Sequence, residues 1–305
     1  MFTHQPVLLD EVLKLLAGCQ RVLDGTAGGA GHAVRIAEAG AEVLALDQDP
    51  RAVAAATERL EGRRARVLQL NFADAPESPE VRAFRPDGVL LDLGISSPQI
   101  DDDSRGFTFR PGVPLDMRME GPRAGGQGPT AADWLNTASH DEIEAALRQN
   151  ADEQRARRLA GEIVRRRENR PFVISDDLVG AIRATLGPGS GPADFARLFQ
   201  AVRIEVNQEL VRLEQALPAL RDLMEPGGVM AVIAYHSGED RIVKHAFREW
   251  SRSCICPEGQ PVCNCRGRSL GELLTRKAIT AGAEEQAANA RSRSAHLRAF
   301  RKGRA

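Results

Sequence analysis

The stretch "RVLDGTAGGAGHAVRIAEAGAEVLALDQDP", Arg21 to Pro50, decides the fold of this chain. A short apolar run ends in Asp24, and Gly25, Gly28, Gly29 and Gly31 follow almost at once. An alanine-rich segment comes next, and a second apolar run ends in Asp47. A strand, a glycine loop and a helix in that order bring backbone amides and a helix N-terminus close to a ligand. Glycine is needed because a Cβ in the loop would collide with the ligand or forbid the required φ. An acid closing the second strand, about 20 residues on, can accept both hydroxyls of a ribose. Asp47 is placed to do this. Asp49, just before Pro50, reads instead as a helix cap.

Working outward, residues 21–24, 42–47, 66–71 and 88–92 read as strands, with helices over 32–39 and 51–60. This alternation predicts an α/β fold, a parallel sheet wrapped by helices. After "LLDLGISSPQ" the pattern changes. Residues 111–129 are rich in Gly and Pro and read as irregular, and helical segments follow over 139–149, 152–168 and 175–186. Ser139 and Glu142 form a capping-box pair at the first of these. "GPGSGP" (187–192) closes a block without a strand pattern, which reads as a helical insertion. The α/β pattern then resumes with a long helix over 198–223, expected to bend at Pro218. A buried strand in "EPGGVMAVIAYH", a helix over 239–250 and a late hairpin of 276–279 with 295–300 complete the chain.

The 305 residues allow one large domain or two ordinary ones. A formal net charge of −1 hides an asymmetry, since residues 266–305 carry ten Lys or Arg against three acids, and 155–170 carry seven Arg. Local basic stretches on a near-neutral chain suit a surface that faces a polyanion, or simply solvated helix faces. No apolar run approaches the length of a membrane span, and the first residues lack the apolar core of a signal peptide. Five cysteines, four of them clustered, argue against a disulfide-stapled secreted domain. Together these features point to a cytoplasmic protein without a membrane partner.

Two ligands compete for the glycine loop. A dinucleotide is disfavoured because Gly29-x-Gly31-x-x-Val34 lacks the third glycine of the dinucleotide fingerprint. S-adenosylmethionine presents a sulfonium and an ammonium, which call for acids rather than a pyrophosphate cradle. Asp24 in "LDGT" and Asp92 in "LDLG" supply carboxylates at two strand ends, which favours the methyl donor.

From "THQPVLLDEVL" through "DGTAGGAGH", "LDQDP", "DLGISSPQIDDDSRGFTF", "PLDMRM", "TAADWLN", "FQAVRIEVNQEL", "HSGEDRIVK" and "CICPEGQPVCNC" to "NARSRSAHLRAFRK", the chain resembles one family nearly end to end. It is that of the bacterial small-subunit ribosomal RNA cytosine methyltransferases known as RsmH or MraW. The resemblance implies a class I (Rossmann-like) S-adenosylmethionine-dependent methyltransferase sheet, here residues 1–110 and 198–305, with a helical substrate-recognition insertion at 111–197. It implies transfer of a methyl group to the exocyclic N4 amino group of a decoding-centre cytosine in 16S ribosomal RNA of the small subunit, and it leaves a homodimer open. Donor contacts are implied at Ala30, Gly31 and His32 of the loop, at Asp47, at Phe72 beside the adenine, and at Asp92 and Gln99. The chain departs from the family where Gly is usual at Ala30, where Leu is usual at Gly238, and in extra residues around "GPADFARLFQ". At Ala30 the backbone is expected to keep φ negative or to shift the loop slightly.

The amino group of cytosine is a weak nucleophile, so an acceptor is needed to help it pyramidalise and to take its proton. Asp92, Ser96 and Ser97 in "DLGISSPQ" are the candidates, with turn formation before Pro98 as the competing role of the serines. His236 reads as a cap of the following helix through Ser237 or as a neighbour of the base, and His4 resembles a family motif without an assigned role. Phe107 and Phe109 could stack on RNA bases or pin the insertion to its core. Cys254, Cys256, Cys263 and Cys265 form two C-x-C pairs. Four thiolates can bind zinc, but C-x-x-C is the commoner unit, so a reduced loop without a metal is the expectation. Other classes remain in view: a ribosome-assembly factor that has lost turnover, disfavoured by the retained acids, and a nicotinamide oxidoreductase, disfavoured by the missing glycine and the long insertion.

Overall fold

The computed structural model describes residues 6–121, 128–260 and 262–304. In chain order its helices and strands are α1 (Leu9–Leu15), β1 (Arg21–Asp24), α2 (Gly31–Glu38), β2 (Glu42–Asp47), α3 (Pro50–Leu60), β3 (Ala65–Gln69), α4 (Pro79–Phe84), β4 (Gly88–Asp92) and α5 (Ser97–Asp101). They continue with α6 (Ala131–Thr137), α7 (His140–Ala151), α8 (Ala156–Arg167), α9 (Ser175–Leu186), α10 (Pro192–Asn207), α11 (Glu209–Leu223), β5 (Val229–Ala234), α12 (Ser237–Ser251), β6 (Gly271–Leu273), α13 (Ala283–Ala288) and β7 (His296–Lys302). The chain divides into two compact units, Met1–Gly94 with Leu210–Ala305, and Ile95–Glu209. No helix among the described residues is long and apolar enough to cross a membrane.

The first unit holds one sheet in the order β3-β2-β1-β4-β5-β7-β6, with β7 antiparallel to both neighbours and the other pairs parallel. Its central strands are continuous apolar runs because both faces are covered. Val22, Val43, Ala45, Leu90, Ala231 and Ile233 pack on one side. Their chain neighbours Leu23, Leu44, Leu46, Val89, Leu91, Met230 and Val232 pack on the other, as the two-residue period of a strand requires. Connections leave β1 and β4 in opposite directions along the sheet, so their carboxyl ends flank the switch point where such sheets bind ligands.

The second unit is helical and has its own core, in which Leu115, Leu135, Leu147, Leu159, Phe172 and Leu198 are buried. It begins and ends wider than the 111–197 expected from composition. Phe107 and Phe109 pack against this core, and Phe109 meets Phe195 and Phe199 edge-on with ring centroids 5.7 and 6.1 Å apart. These two rings therefore serve packing rather than an open stacking surface.

The long helix expected over 198–223 is two helices. The break falls at Gln208, which takes a left-handed φ of 51°, while Pro218 sits inside α11. Across the break Arg203 grips Glu209 through two hydrogen bonds of 2.8 and 2.9 Å, and both side chains are largely buried. A bidentate, largely desolvated pair of this kind adds geometric specificity at the turn. The partner of β7 also differs from expectation: β6 lies at 271–273, and residue 279 contributes only an isolated bridge to Leu297.

Gly238, in the first turn of α12, has a packing reason. A Cβ there would lie 3.2 Å from Leu210 Cδ1 and 3.2 Å from His236 Cε1 and Nδ1. Gly238→Leu is expected to lower the midpoint of urea denaturation by an amount equivalent to about 1–3 kcal/mol, the range for an overpacked site.

Candidate active site

Three carboxylates gather where the strand-ending acids were expected, at the carboxyl ends of β1, β2 and β4. Asp24 is 1% exposed, and its Oδ1 accepts from the Thr26 backbone N–H at 3.1 Å. Burial pushes its carboxyl up to about 6; the His32 ring and the Thr26 N–H pull in the opposite direction, and the charges of Asp92 and Asp47 add to the rise. Among the described residues no Lys or Arg forms an ion pair with Asp24, so the site carries a buried negative charge that a cationic ligand would relieve.

Asp47 is held by two backbone amides, Gly28 N–H at 2.8 Å and Asp49 N–H at 2.9 Å. The first closes the glycine loop onto the end of β2. A carboxylate accepts up to about four hydrogen bonds, so the same group can also take ribose hydroxyls. Asp49 is 3% exposed and caps α3 through the Arg51 N–H at 3.0 Å, the structural role that its place before Pro50 suggested.

In the loop, Ala30 is fully buried and takes φ 57°, so of the two expected outcomes, a negative φ or a slight shift of the loop, the first does not hold. The Ala30 N–H donates to the Ala27 carbonyl at 2.6 Å, and packing around the buried methyl sustains a left-handed conformation that costs an ordinary residue about 1–2 kcal/mol. Gly31 opens α2, and a Cβ there would lie 2.7 Å from Pro6 Cγ. Gly25 is equally constrained, its missing Cβ falling 2.5 Å from Leu91 Cδ2 and 3.0 Å from Phe72 Cβ. Phe72 thus stands next to the loop, packed in part against the core.

His32 is buried. Its Nε2 is 2.9 Å from the Val7 carbonyl and its Nδ1 is 3.6 Å from Asp92 Oδ2. Nε2 must donate to that carbonyl, which leaves Nδ1 turned to the carboxylate. Asp92 is tied twice more, since its N–H donates to Thr26 Oγ1 at 2.6 Å and its Oδ1 accepts from the Tyr235 hydroxyl at 2.7 Å. Burial, followed by the Asp92 charge, pushes the Tyr235 phenol far above its usual range and keeps it a donor. Thr26 and Tyr235 went unnoticed in the sequence. The signal was there, as Tyr235 is the only tyrosine in the chain and closes the run "VMAVIAY". Tyr235→Phe is expected to cost about 1.5–3 kcal/mol of stability, the worth of a hydrogen bond to a charged group, read from urea denaturation.

His236 is itself the cap of α12, in place of Ser237. Its Nδ1 accepts from the Glu239 N–H at 3.4 Å, and the Glu239 carboxylate returns to the Tyr235 N–H at 2.8 Å and to within 3.1 Å of His236 Nε2. His4 lies outside the described residues.

Of the residues expected after β4, Ser96 and Gln99 sit in the helical unit. The Gln99 Oε1 accepts from the Ser96 N–H at 2.9 Å and from its hydroxyl at 3.2 Å, and its Nε2 donates to the Met119 carbonyl at 3.4 Å. This is the reciprocal cap that starts α5, the turn-forming role weighed for the serine. Ser97 is the first residue of α5.

A glycine loop closed onto a ribose-type acid, two further carboxylates at neighbouring strand ends and a sheet with one antiparallel late strand define a class I methyltransferase fold. Sequence comparison gives the family. The chain belongs to the MraW methylase family, whose profile matches residues 1–303, and S-adenosylmethionine is its cofactor. A protein of Gemmatimonas aurantiaca named ribosomal RNA small subunit methyltransferase H is 57% identical over 302 residues, covering 98% of this chain and 95% of its own. A protein of the same name from Heliobacterium mobile is 43% identical over 313 residues, with 99% of both chains covered. Among solved structures, an rRNA methylase from Streptococcus thermophilus aligns over 99% of each chain at 10% identity and a TM-score of 0.39.

Proposed function

We propose that this methylase modifies 16S ribosomal RNA in the small subunit, transferring a methyl group to the exocyclic N4 amino nitrogen of a decoding-centre cytosine. Support for the substrate class comes from the family and from the names of its relatives. The observation that carries the chemistry is the buried, unneutralised Asp24 beneath a glycine loop whose neighbour strands end in Asp47 and Asp92.

S-adenosylmethionine supplies an electrophilic methyl group on a positively charged sulfur. The residues of this chain fit it as follows. Asp24 provides negative charge in a low-dielectric setting, Asp47 accepts the ribose hydroxyls, and Phe72 flanks the adenine. Ala30, Gly31 and the backbone of His32 shape the loop at the start of α2. The His32 side chain orients Asp92 instead of meeting the donor. Gln99 is proposed to act through the cap it forms with Ser96, which sets the start of α5.

The acceptor amine is a weak nucleophile, so most of the acceleration is positioning, for which up to roughly 7–11 kcal/mol is available. Asp92, with its carboxylate held by the Tyr235 hydroxyl and its backbone N–H by Thr26 Oγ1, is proposed to accept a hydrogen bond from the amino group and then its proton. Ser96 and Ser97, four and five residues further along the chain, are the alternative acceptors. Reaching the donor requires the cytosine to leave its stack at a cost of a few kcal/mol. The helical unit, with Arg157 and Arg158 exposed on α8, is proposed to grip the RNA backbone.

The test is incubation of the protein and labelled donor with small subunits from a strain lacking the corresponding gene, followed by mass spectrometry of the digested RNA. Label on N4 of a single decoding-centre cytosine is expected. Label on another base, or on protein alone, would overturn the reading.

A further inference from the structure

The segment between α12 and β6 has no core. Of residues 252–270, none that is described is buried, and Ile255 and Val262 are 39% and 72% exposed. An irregular connection of this length is uncommon in a compact unit unless something ties it together. Its hydrophobic content supplies no such tie. What converges instead is sulfur.

All five cysteines of the chain are free thiols, and four of them meet in this loop. The Sγ atoms of Cys254, Cys256, Cys263 and Cys265 all lie within 4.8 Å of one another. Cys263 is 3.8 Å from Cys254, 3.8 Å from Cys256 and 3.5 Å from Cys265, while Cys265 is 3.9 Å from Cys254. Four thiolates at a Zn–S distance of about 2.3 Å in a tetrahedron have sulfur–sulfur edges of about 3.8 Å. The four separations given above lie within about 0.3 Å of that figure.

The surroundings match as well. The Ile255 N–H donates to Cys265 Sγ at 3.4 Å, the kind of backbone support that a thiolate ligand recruits. Gly259, between the two pairs, and Gly267, after the second, take φ of 84° and 66°, letting the chain double back. Arg266, beside Cys265, donates to the Glu249 carboxylate at 2.5 Å, to the Glu249 carbonyl and to the Arg252 carbonyl at 3.1 Å, which anchors the loop's exit to the end of α12. Four thiolates around one divalent ion leave excess negative charge, and Arg252 and Arg268 lie in the same loop to offset it.

In place of the reduced, metal-free loop expected from the C-x-C spacing, we propose that these four cysteines form a structural zinc site that organises residues 252–270. The metal replaces the thiol protons, which are released on binding, and its four ligands leave no open position for catalysis. The site clips the loop between α12 and β6 and takes no part in methyl transfer.

The test uses the full chain, produced without a polyhistidine tag and purified without chelators. Elemental analysis is expected to give about one zinc per chain, and the mass under native conditions should exceed the denatured mass by one zinc less the protons lost. Cys254→Ser and Cys263→Ser should each reduce zinc at least tenfold, whereas Cys19→Ser, outside the cluster, should retain it. Cobalt(II) added to chelator-stripped protein should give the intense visible bands of a tetrahedral thiolate site. If the cysteine variants fail to fold, thiol titration of the native protein decides: the four thiols should react only after chelation. Four promptly reactive thiols with no bound metal, iron in place of zinc, or zinc that survives both serine variants would overturn the proposal.

Discussion

Asp24→Asn should give a protein that is more stable at neutral pH and a much poorer binder of S-adenosylmethionine. The two effects share one cause. Burial pushes the Asp24 carboxyl in the folded protein up to about 6, from the 3.8 of an exposed aspartate. The native state therefore keeps a proton that the unfolded state releases between those values. Stability from this group is present below about pH 4 and is lost as pH rises through 6, leaving a penalty of about 3 kcal/mol at neutral pH. The amide carries no charge and removes that penalty, although its new N–H donors cost part of the gain if they lack acceptors. A net gain of about 1–2 kcal/mol at pH 7, shrinking as pH falls towards 4, is expected from urea denaturation of both proteins.

Binding runs the other way. A unit positive charge about 5 Å from the carboxylate is worth roughly 3 kcal/mol at an effective dielectric constant of 20. Calorimetry should show the variant's affinity for the donor reduced about 10- to 100-fold. In the wild type, binding should also weaken as pH drops below 6, because the cation must displace the Asp24 proton, and the variant should lose that dependence. Equal affinities with parallel pH profiles would show that Asp24 supports the loop and nothing more.

The residues that made the fold readable are the ones with the least structural freedom. Strands 21–24, 42–47 and 88–92 form as expected, because a strand covered on both faces needs an unbroken apolar run, and in each of these an Asp closes that run. Helix α3 starts at Pro50 because Asp49 and proline together suit a helix N-terminus and little else. Legibility fails where distant parts of the chain decide. Gln208 adopts a left-handed backbone although no glycine advertises it, since the Arg203–Glu209 pair forms only once both helices are in place. Strand β6 is invisible because it is three residues long with no apolar run; it exists because β7 offers an edge and Gly271 has no Cβ, which would fall 2.0 Å from the Arg301 carbonyl oxygen. In the candidate site the acids were legible singly. Their ties through Thr26, His32 and Tyr235 were not, because those partners come from the loop after β1, from α2 and from the end of β5.

Those ties make Asp92→Asn a cleaner probe than removal of the side chain. The Tyr235 hydroxyl, now 2.7 Å from Oδ1, can donate to an amide oxygen just as it does to the carboxylate. On its other side the new NH2 faces His32 Nδ1, which stands 3.6 Å from Oδ2. The Asp92 N–H to Thr26 Oγ1 bond belongs to the backbone and is unaffected. Stability should therefore remain within about 1 kcal/mol of wild type, as expected when both partners of a hydrogen bond persist. What disappears is negative charge and basicity. An amide oxygen can still accept a hydrogen bond from the cytosine amino group, but it cannot take the proton. If Asp92 is the acceptor, single-turnover methylation at saturating donor should fall by about 10²- to 10⁴-fold, the usual contribution of a positioned base. The lost charge should also weaken donor binding to a lesser degree. A variant that folds normally and turns over within a few-fold of wild type would remove Asp92 from the chemistry and transfer the acceptor role to Ser96 or Ser97. Weak donor binding with unimpaired single-turnover chemistry would instead assign Asp92 to the donor alone, with its orientation by Tyr235 serving affinity and not proton transfer.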